Sequence, residues 1–154
     1  MPAPDWAALV AAYNRINHYG QANGMALSVP APGQAEYRMQ IRPDHLSSPG
    51  TAHGGVVAGL MDAALGAAAL TLAFTSGEFV STVEFKLNYL HPVRLAEQLV
   101  ARAQVEHTGN RLIVSSAVIF RIESDGPEMA VARGLGTFNR YPADKREFGQ
   151  LLMG

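Results

Sequence analysis

Residues 54–74 read GGVVAGLMDAALGAAALTLAF, and this stretch decides how the rest of the chain folds. Its only charged residue is Asp62. A helix that is apolar on every side is normally buried on every side. The stretch is nearly long enough to span a bilayer, but it consists mostly of Ala and Gly, and a central Asp costs roughly 2.5–3.5 kcal/mol on insertion. We therefore predict a buried helix in a folded domain and no membrane partner.

Strand patterns flank this helix on both sides and are separated by turn residues. An amphipathic helix over residues 5–17 comes first, within an N-terminal segment 1–20. The expected strands are residues 25–30, 35–42, 79–89, 98–106, 111–123 and 129–139, of which the last four are rich in Val, Ile, Phe or Thr. The connections between the later strands are too short for parallel crossovers. This order predicts one α+β domain over residues 1–154, with a core at 25–140, a tail at 141–154, and a curved antiparallel sheet wrapped around the helix.

Composition excludes several classes of function. Twelve basic and thirteen acidic residues give a net charge of -1, so we expect no nucleic-acid partner, because that binding depends on phosphate neutralisation. The chain has no cysteine, which excludes disulfides, thiol nucleophiles and cysteine metal sites. No two of its five histidines stand three or four residues apart, so we expect no metal and no cofactor. The N-terminus has no secretory pattern, and we expect a cytoplasmic protein.

His53, Gly54 and Gly55 stand at the start of the long helix. Glycines let a ligand approach the backbone closely, and the first N–H groups of a helix have no partner within it. Together with the helix dipole, these N–H groups would stabilise a developing oxyanion. The alternative is that the two glycines only form a tight turn into the helix.

Asp62 is the second candidate, because an ionised carboxylate within an apolar helix is costly unless it is paired or faces a polar cavity. Its neighbours Ala58, Gly59 and Gly66 are small and leave room for a ligand. The alternative is an ion pair with an arginine of the sheet, such as Arg133 or Arg102.

The spacing between the two candidates points to more than one copy of the chain. Gly54 and Asp62 are about 12 Å apart along the helix axis, at about 1.5 Å per residue, so one small reacting group cannot easily touch both. Two antiparallel copies of the helix would bring Gly54 of one near Asp62 of the other. A second copy would also cover the helix face that a single sheet leaves open, so we predict a homo-oligomer.

Two stretches, TAHGGVVAGLMDAALGAAA at 51–69 and FVSTVEFKLNYLHPV at 79–93, resemble hotdog-fold thioesterases of the phenylacetate-degradation, 4-hydroxybenzoyl-CoA thioesterase type. The resemblance covers about residues 35–140. It implies a hotdog fold, a dimer or a pair of dimers with sites at the subunit interface, and an acyl-CoA thioester as substrate. The acyl group would be aryl or of medium chain length.

The resemblance also implies roles for individual residues. Asp62 would be the general base or nucleophile, and the Gly54 N–H would polarise the thioester carbonyl. His53 would be a supporting hydrogen-bonding residue, and Thr82 would orient water or the acid. The candidate substrate-binding residues are Ser47, Gly55, Ala58 and Gly59. For the phosphates of CoA the candidates are Arg111, Lys86 and Arg94.

Two other functions of the same fold stay open. Ser47 stands where the family commonly has Asn or Gln, and this departure would suit a domain that binds acyl-CoA without hydrolysing it. A hydratase or dehydratase is the other alternative, although such enzymes usually pair a catalytic histidine with a carboxylate in a different loop pattern.

Overall fold

The computed structural model describes residues 4–144 together with Arg146 and Gly149. The chain begins with helices α1 (Trp6–Ile16) and α2 (His18–Ala22) and strands β1 (Ala26–Ser28) and β2 (Gln34–Gln40). A 3-10 turn (Pro43–His45) and the short strands β3 (Leu46–Ser48) and β4 (Thr51–Ala52) precede the long helix α3 (Gly54–Phe74). The later strands are β5 (Glu78–Tyr89), β6 (Gln98–Thr108), β7 (Leu112–Ile122) and β8 (Met129–Pro142).

Six strands form one antiparallel sheet in the order β1-β2-β6-β7-β8-β5. Strand β5 therefore lies at one edge of this sheet, and the pair β3–β4 forms a separate ribbon. Helix α3 packs against β2, β5, β6, β7 and β8. The predicted α+β fold, an antiparallel sheet around one long apolar helix, is confirmed.

The core lies between α3 and the inner face of the sheet. Leu60, Met61 and Leu65 of α3 are fully buried, and the sheet contributes large side chains such as Tyr37 and Phe138. Strand β2 alternates between buried and more exposed residues, because successive side chains of a strand point to opposite faces. By length and composition α3 could cross a membrane, but half of its most apolar window is buried inside the fold. It is the core helix of the domain.

One side of α3 is not covered by its own chain. Gly54 and Gly55 are exposed, and Ala58, Asp62 and Gly66 are only partly buried. The curved sheet thus covers only part of the circumference of the helix, as the sequence predicts.

The predicted helix over residues 5–17 forms with nearly these bounds, and a second short helix follows it. α1 stops at Ile16, and a second short helix runs through Gly20, where we expected the end of the N-terminal segment. The side chain of Asn17 explains the break, since its Oδ1 accepts a hydrogen bond of 3.0 Å from the Gly20 N–H and so caps α2.

The last strand runs three residues further than predicted, and two of these residues lie in the expected tail. β8 continues through Tyr141 and Pro142, which pair with Phe79 and Glu78. The rings of Phe79 and Tyr141 meet edge to face with their centroids 6.3 Å apart. In the rest of the predicted tail, residues 145, 147, 148 and 150–154 lie outside the described residues.

Candidate active site

His53 caps the N-terminus of α3. Its Nδ1 accepts a hydrogen bond of 2.8 Å from the Gly55 N–H, so that N–H already has a partner. In the described part of the chain, the Gly54 N–H has no acceptor within hydrogen-bond distance. The geometry therefore leaves the Gly54 N–H, at the positive end of the helix dipole, free to bind an oxygen of a ligand.

The space around Gly54 is a surface groove of about 300 Å³. The Tyr89 hydroxyl donates a hydrogen bond of 2.8 Å to the Gly54 carbonyl. A Cβ atom at Gly54 would lie 3.2 Å from that hydroxyl, a tight contact. The residues lining the groove are Thr51, Ala52, Gly54, Val57, Tyr89, Leu90, His91, Pro92 and Val93.

Asp62 lies two turns further along α3 and accepts a hydrogen bond from Thr82. The distance from Thr82 Oγ1 to Asp62 Oδ1 is 2.8 Å. The alternative of an ion pair with Arg102 or Arg133 is wrong, because both arginines line a different groove on the outer face of the sheet. No lysine or arginine forms an ion pair with Asp62 among the described residues. The carboxylate thus has a neutral donor and no positive partner.

A bulge in β5 directs Thr82 toward Asp62. Thr82 pairs with Phe138, Glu84 pairs with Thr137, and Val83 between them is the extra residue. Thr82 therefore shares the inner face with buried Phe138, whereas Glu84 accepts a hydrogen bond of 2.6 Å from Thr137 on the other face. In a regular strand Thr82 and Glu84 would point the same way.

Asp62 and Thr82 line a cavity of about 460 Å³, which we call the Asp62 cavity. This volume lies within the usual range for small-molecule sites. The walls come from α1, α3, β5 and the end of β8, and they are mostly apolar or aromatic. The lining residues are Tyr13, Ile16, Asp62, Ala63, Gly66, Ala67, Leu70, Phe79, Val80, Ser81, Thr82, Phe138 and Tyr141.

The Asp62 cavity and the Gly54 groove have no lining residue in common. Helix α3 is continuous between Gly54 and Asp62, so eight residues at about 1.5 Å each keep the two about 12 Å apart along its axis. Within one chain the free N–H and the carboxylate therefore belong to separate surfaces.

The remaining predicted residues lie outside both cavities. Ser47 is exposed on β3, and Arg111 is exposed just before β7. Ala58 is partly buried on α3. Tyr19 covers Gly59 so closely that a Cβ atom there would lie 2.0 Å from its hydroxyl oxygen. One chain therefore brings Asp62 to Thr82 and His53 to Gly55. The other four residues line neither the Asp62 cavity nor the groove at Gly54.

Sequence reasoning missed two residues of these surfaces. Tyr89 stands at the end of β5, and no sequence signal ties it to Gly54. Tyr13 belongs to the apolar stripe of the N-terminal helix and reads as an ordinary core residue, yet it lines the Asp62 cavity. Among the described residues, no group of three or more His, Asp or Glu side chains is placed to hold a metal ion.

Sequence comparison defines the class of protein. The pattern of the thioesterase superfamily matches residues 49–127, which contain α3, β5, β6 and β7. The chain belongs to this superfamily, and it is a thioester hydrolase with the hotdog fold. The predicted resemblance is thereby confirmed.

Individual relatives extend beyond the matched stretch. A Halobacterium salinarum protein, named as a candidate esterase, is 30% identical over 150 residues, which are 92% of this chain and 97% of that protein. Acyl-coenzyme A thioesterase 13 of Homo sapiens is 33% identical over 86 residues, which are 56% of this chain and only 60% of that protein. The PaaI protein of the Escherichia coli phenylacetic acid degradation operon superposes with a TM-score of 0.79 at 21% identity and shares the fold. That superposition covers 90% of this chain and 96% of PaaI.

Proposed function

We propose that the protein hydrolyses an aryl- or medium-chain acyl-CoA thioester to the free acid and CoA. One observation carries this proposal. Asp62 has a neutral hydrogen-bond donor and no ion-pair partner within the described part of the chain, and it stands at a mostly apolar cavity large enough for an acyl group. The 33% identity to an acyl-coenzyme A thioesterase supports CoA as the thiol. The match covers 56% of this chain and does not identify the acyl group. We therefore assign the acyl group from the size and lining of the Asp62 cavity.

In the proposed mechanism the Gly54 N–H donates a hydrogen bond to the thioester oxygen and stabilises the negative charge that develops there. The Asp62 carboxylate then acts in one of two ways. It takes a proton from a water molecule that attacks the carbonyl carbon, or it attacks that carbon itself and forms an anhydride that water later cleaves. In both routes the C–S bond breaks and CoA leaves as the thiol after protonation. The hydrogen bond from Thr82 holds the carboxylate in position.

We further propose that two copies of the chain share each site, with Gly54 from one and Asp62 from the other. The separation of the Asp62 cavity from the Gly54 groove supports this arrangement, and so does the open side of α3. In such an assembly Ser47, Gly55 and Arg111 of one copy would approach the site that contains Asp62 of the other copy. The apolar edge strand β5, with Val83 57% exposed, gives the second copy a surface to pair with.

The predicted oligomer is tested directly in solution. Sedimentation equilibrium at micromolar concentration is expected to give the mass of a dimer or of a tetramer. The reason is that burying the uncovered side of α3 against a second copy removes apolar surface from water and stabilises the assembly. A single species with the mass of one chain would contradict the shared site.

The proposed activity is tested by measuring the release of CoA thiol across a panel of acyl-CoA esters. Release well above the buffer rate is expected for aryl or medium-chain esters. If no ester reacts although acyl-CoA binds, the chain is instead a binding domain. Loss of the enoyl absorbance of a 2-enoyl-CoA without release of CoA would identify a hydratase.

A further inference from the structure

A second cavity adjoins the Asp62 cavity beneath helix α1. It has a volume of about 50 Å³, and we call it the α1 cavity. It shares Tyr13, Ala67 and Leu70 with the Asp62 cavity. Its lining residues are Trp6, Leu9, Val10, Tyr13, Leu27, Val29, Ala67, Leu70, Thr71 and Phe74.

The α1 cavity is suited to hydrocarbon alone. Of its lining side chains, Thr71 uses its hydroxyl to donate to the Ala68 carbonyl at 2.7 Å and to accept from the Gly33 N–H at 2.7 Å. The Tyr13 hydroxyl forms a hydrogen bond with that of Tyr37. The surface that these residues expose to the cavity is apolar. An alkyl chain would be a favourable occupant because it removes apolar surface from water.

Tyr13 separates the two cavities and is held in place by buried partners. Its hydroxyl shares a hydrogen bond with that of Tyr37, which is 1% exposed. The Asn17 side chain in turn donates a hydrogen bond of 3.4 Å to the Tyr37 hydroxyl. The hydrogen bond with buried Tyr37 therefore holds the Tyr13 ring in position.

Tyr13 and Asp62 line the same cavity, so the phenol lies near the carboxylate. Burial raises the pKa of the Tyr13 phenol above its ordinary value, and the hydrogen bond with Tyr37 acts against that shift. The negative charge of Asp62 raises the pKa further. The phenol is therefore neutral at physiological pH, and a neutral ring is compatible with an acyl chain lying against it.

We propose that Tyr13 is the end wall of the acyl site and sets the longest acyl chain that the site accepts. This inference rests on the proposed function, since it assigns the Asp62 cavity to the acyl group. A medium-length chain or an aryl ring fills the Asp62 cavity up to Tyr13. Longer alkyl chains meet the Tyr13 ring, although apolar space lies directly behind it in the α1 cavity.

Replacing the ring tests this assignment. Tyr13→Ala joins the two cavities, and the ratio of kcat/KM for myristoyl-CoA to that for octanoyl-CoA is expected to rise at least about tenfold, the low end of what one methylene contributes in an apolar pocket. Tyr13→Phe is the matched control, because it keeps the bulk of the ring and loses only the hydroxyl with its hydrogen bond to Tyr37. Its ratio is expected to stay near the wild-type value. Tyr13→Leu, which shortens the side chain but keeps it apolar, is the second variant in case Tyr13→Ala unfolds α1.

Binding of the same two esters, measured by calorimetry, separates the failure of this inference from the failure of the proposed function. If the enzyme hydrolyses esters and the folded variants keep the wild-type chain-length profile, Tyr13 is not the wall and the inference is wrong. If the wild type hydrolyses nothing, the proposed function is wrong. The inference about Tyr13 then requires that Tyr13→Ala changes the ratio of the dissociation constants of the two esters. The absence of a shift in both ratios overturns the inference. Loss of activity without a change of profile would show that Tyr13 serves only to stabilise the fold.

Discussion

Asp62→Asn is expected to lower the turnover of the best acyl-CoA substrate at least about 100-fold, the low end of what a general base contributes. Asparagine keeps the shape of the side chain, and its Oδ1 still accepts the hydrogen bond from Thr82 that the carboxylate accepts at 2.8 Å. What it removes is the negative charge, so it neither takes a proton from water nor attacks a carbonyl carbon. The loss should therefore fall on kcat, with the fold intact.

Steady-state CoA release measures this effect, and thermal unfolding checks that the variant is folded. Asp125→Asn is the matched control, since it makes the same chemical change at an exposed turn residue between β7 and β8. Its turnover should equal that of the wild type. If a folded Asp62→Asn protein retained near-normal turnover, Asp62 would have no part in the chemistry, and the carboxylate would only serve to bind Thr82.

Mixing two inactive variants is expected to restore about a quarter of the wild-type activity. Gly54→Val blocks the free N–H and presses against Tyr89, and Asp62→Asn removes the base. If each site combines Gly54 of one copy with Asp62 of the other, a mixed dimer has one intact site and one doubly damaged site. Random exchange makes about half of the dimers mixed, so about a quarter of all sites are active.

The matched control places both substitutions in one chain and mixes that chain with the wild type. Shared sites then survive only in wild-type dimers and give about a quarter of full activity, whereas sites contained in one chain give about a half. Mass spectrometry of the intact dimers confirms that exchange has occurred. Verified mixed dimers without activity in the first mixture, together with half activity in the second, would place the N–H and the carboxylate in the same chain.

Much of the fold follows from the sequence because its strongest signals are long. The run of 21 mostly apolar residues from Gly54 to Phe74 forms one helix with the predicted bounds, since burial of its apolar side chains outweighs the low helix propensity of its glycines. The ends of the other elements depend on single contacts. Asn17 divides the N-terminal helical segment through one side-chain hydrogen bond. The spacing of the apolar residues does not predict such a cap.

The candidate site follows from the sequence less completely. His53, Gly54 and Asp62 are recognisable because they interrupt an apolar run. The contact between Thr82 and Asp62 cannot be derived from alternation along β5, because a strict two-residue period places Thr82 on the same face as Glu84. The bulge at Val83 reverses this relation. Tyr13 is hidden for another reason: an aromatic residue that lines a cavity and one that fills the core share the same apolar stripe.

Helix α1 supplies part of the cavity wall beside Asp62, and this has an evolutionary consequence. Helix α1 lies outside residues 49–127, the stretch that carries the thioesterase pattern, yet Tyr13 and Ile16 of α1 border the cavity. Mutations in α1 therefore reshape the space next to the carboxylate without altering α3 or the strand that bears Thr82. Selection can act separately on α1 and on the elements that carry Asp62 and Thr82. Related proteins can thus keep a common reaction and differ in substrate range through changes in a single eleven-residue segment.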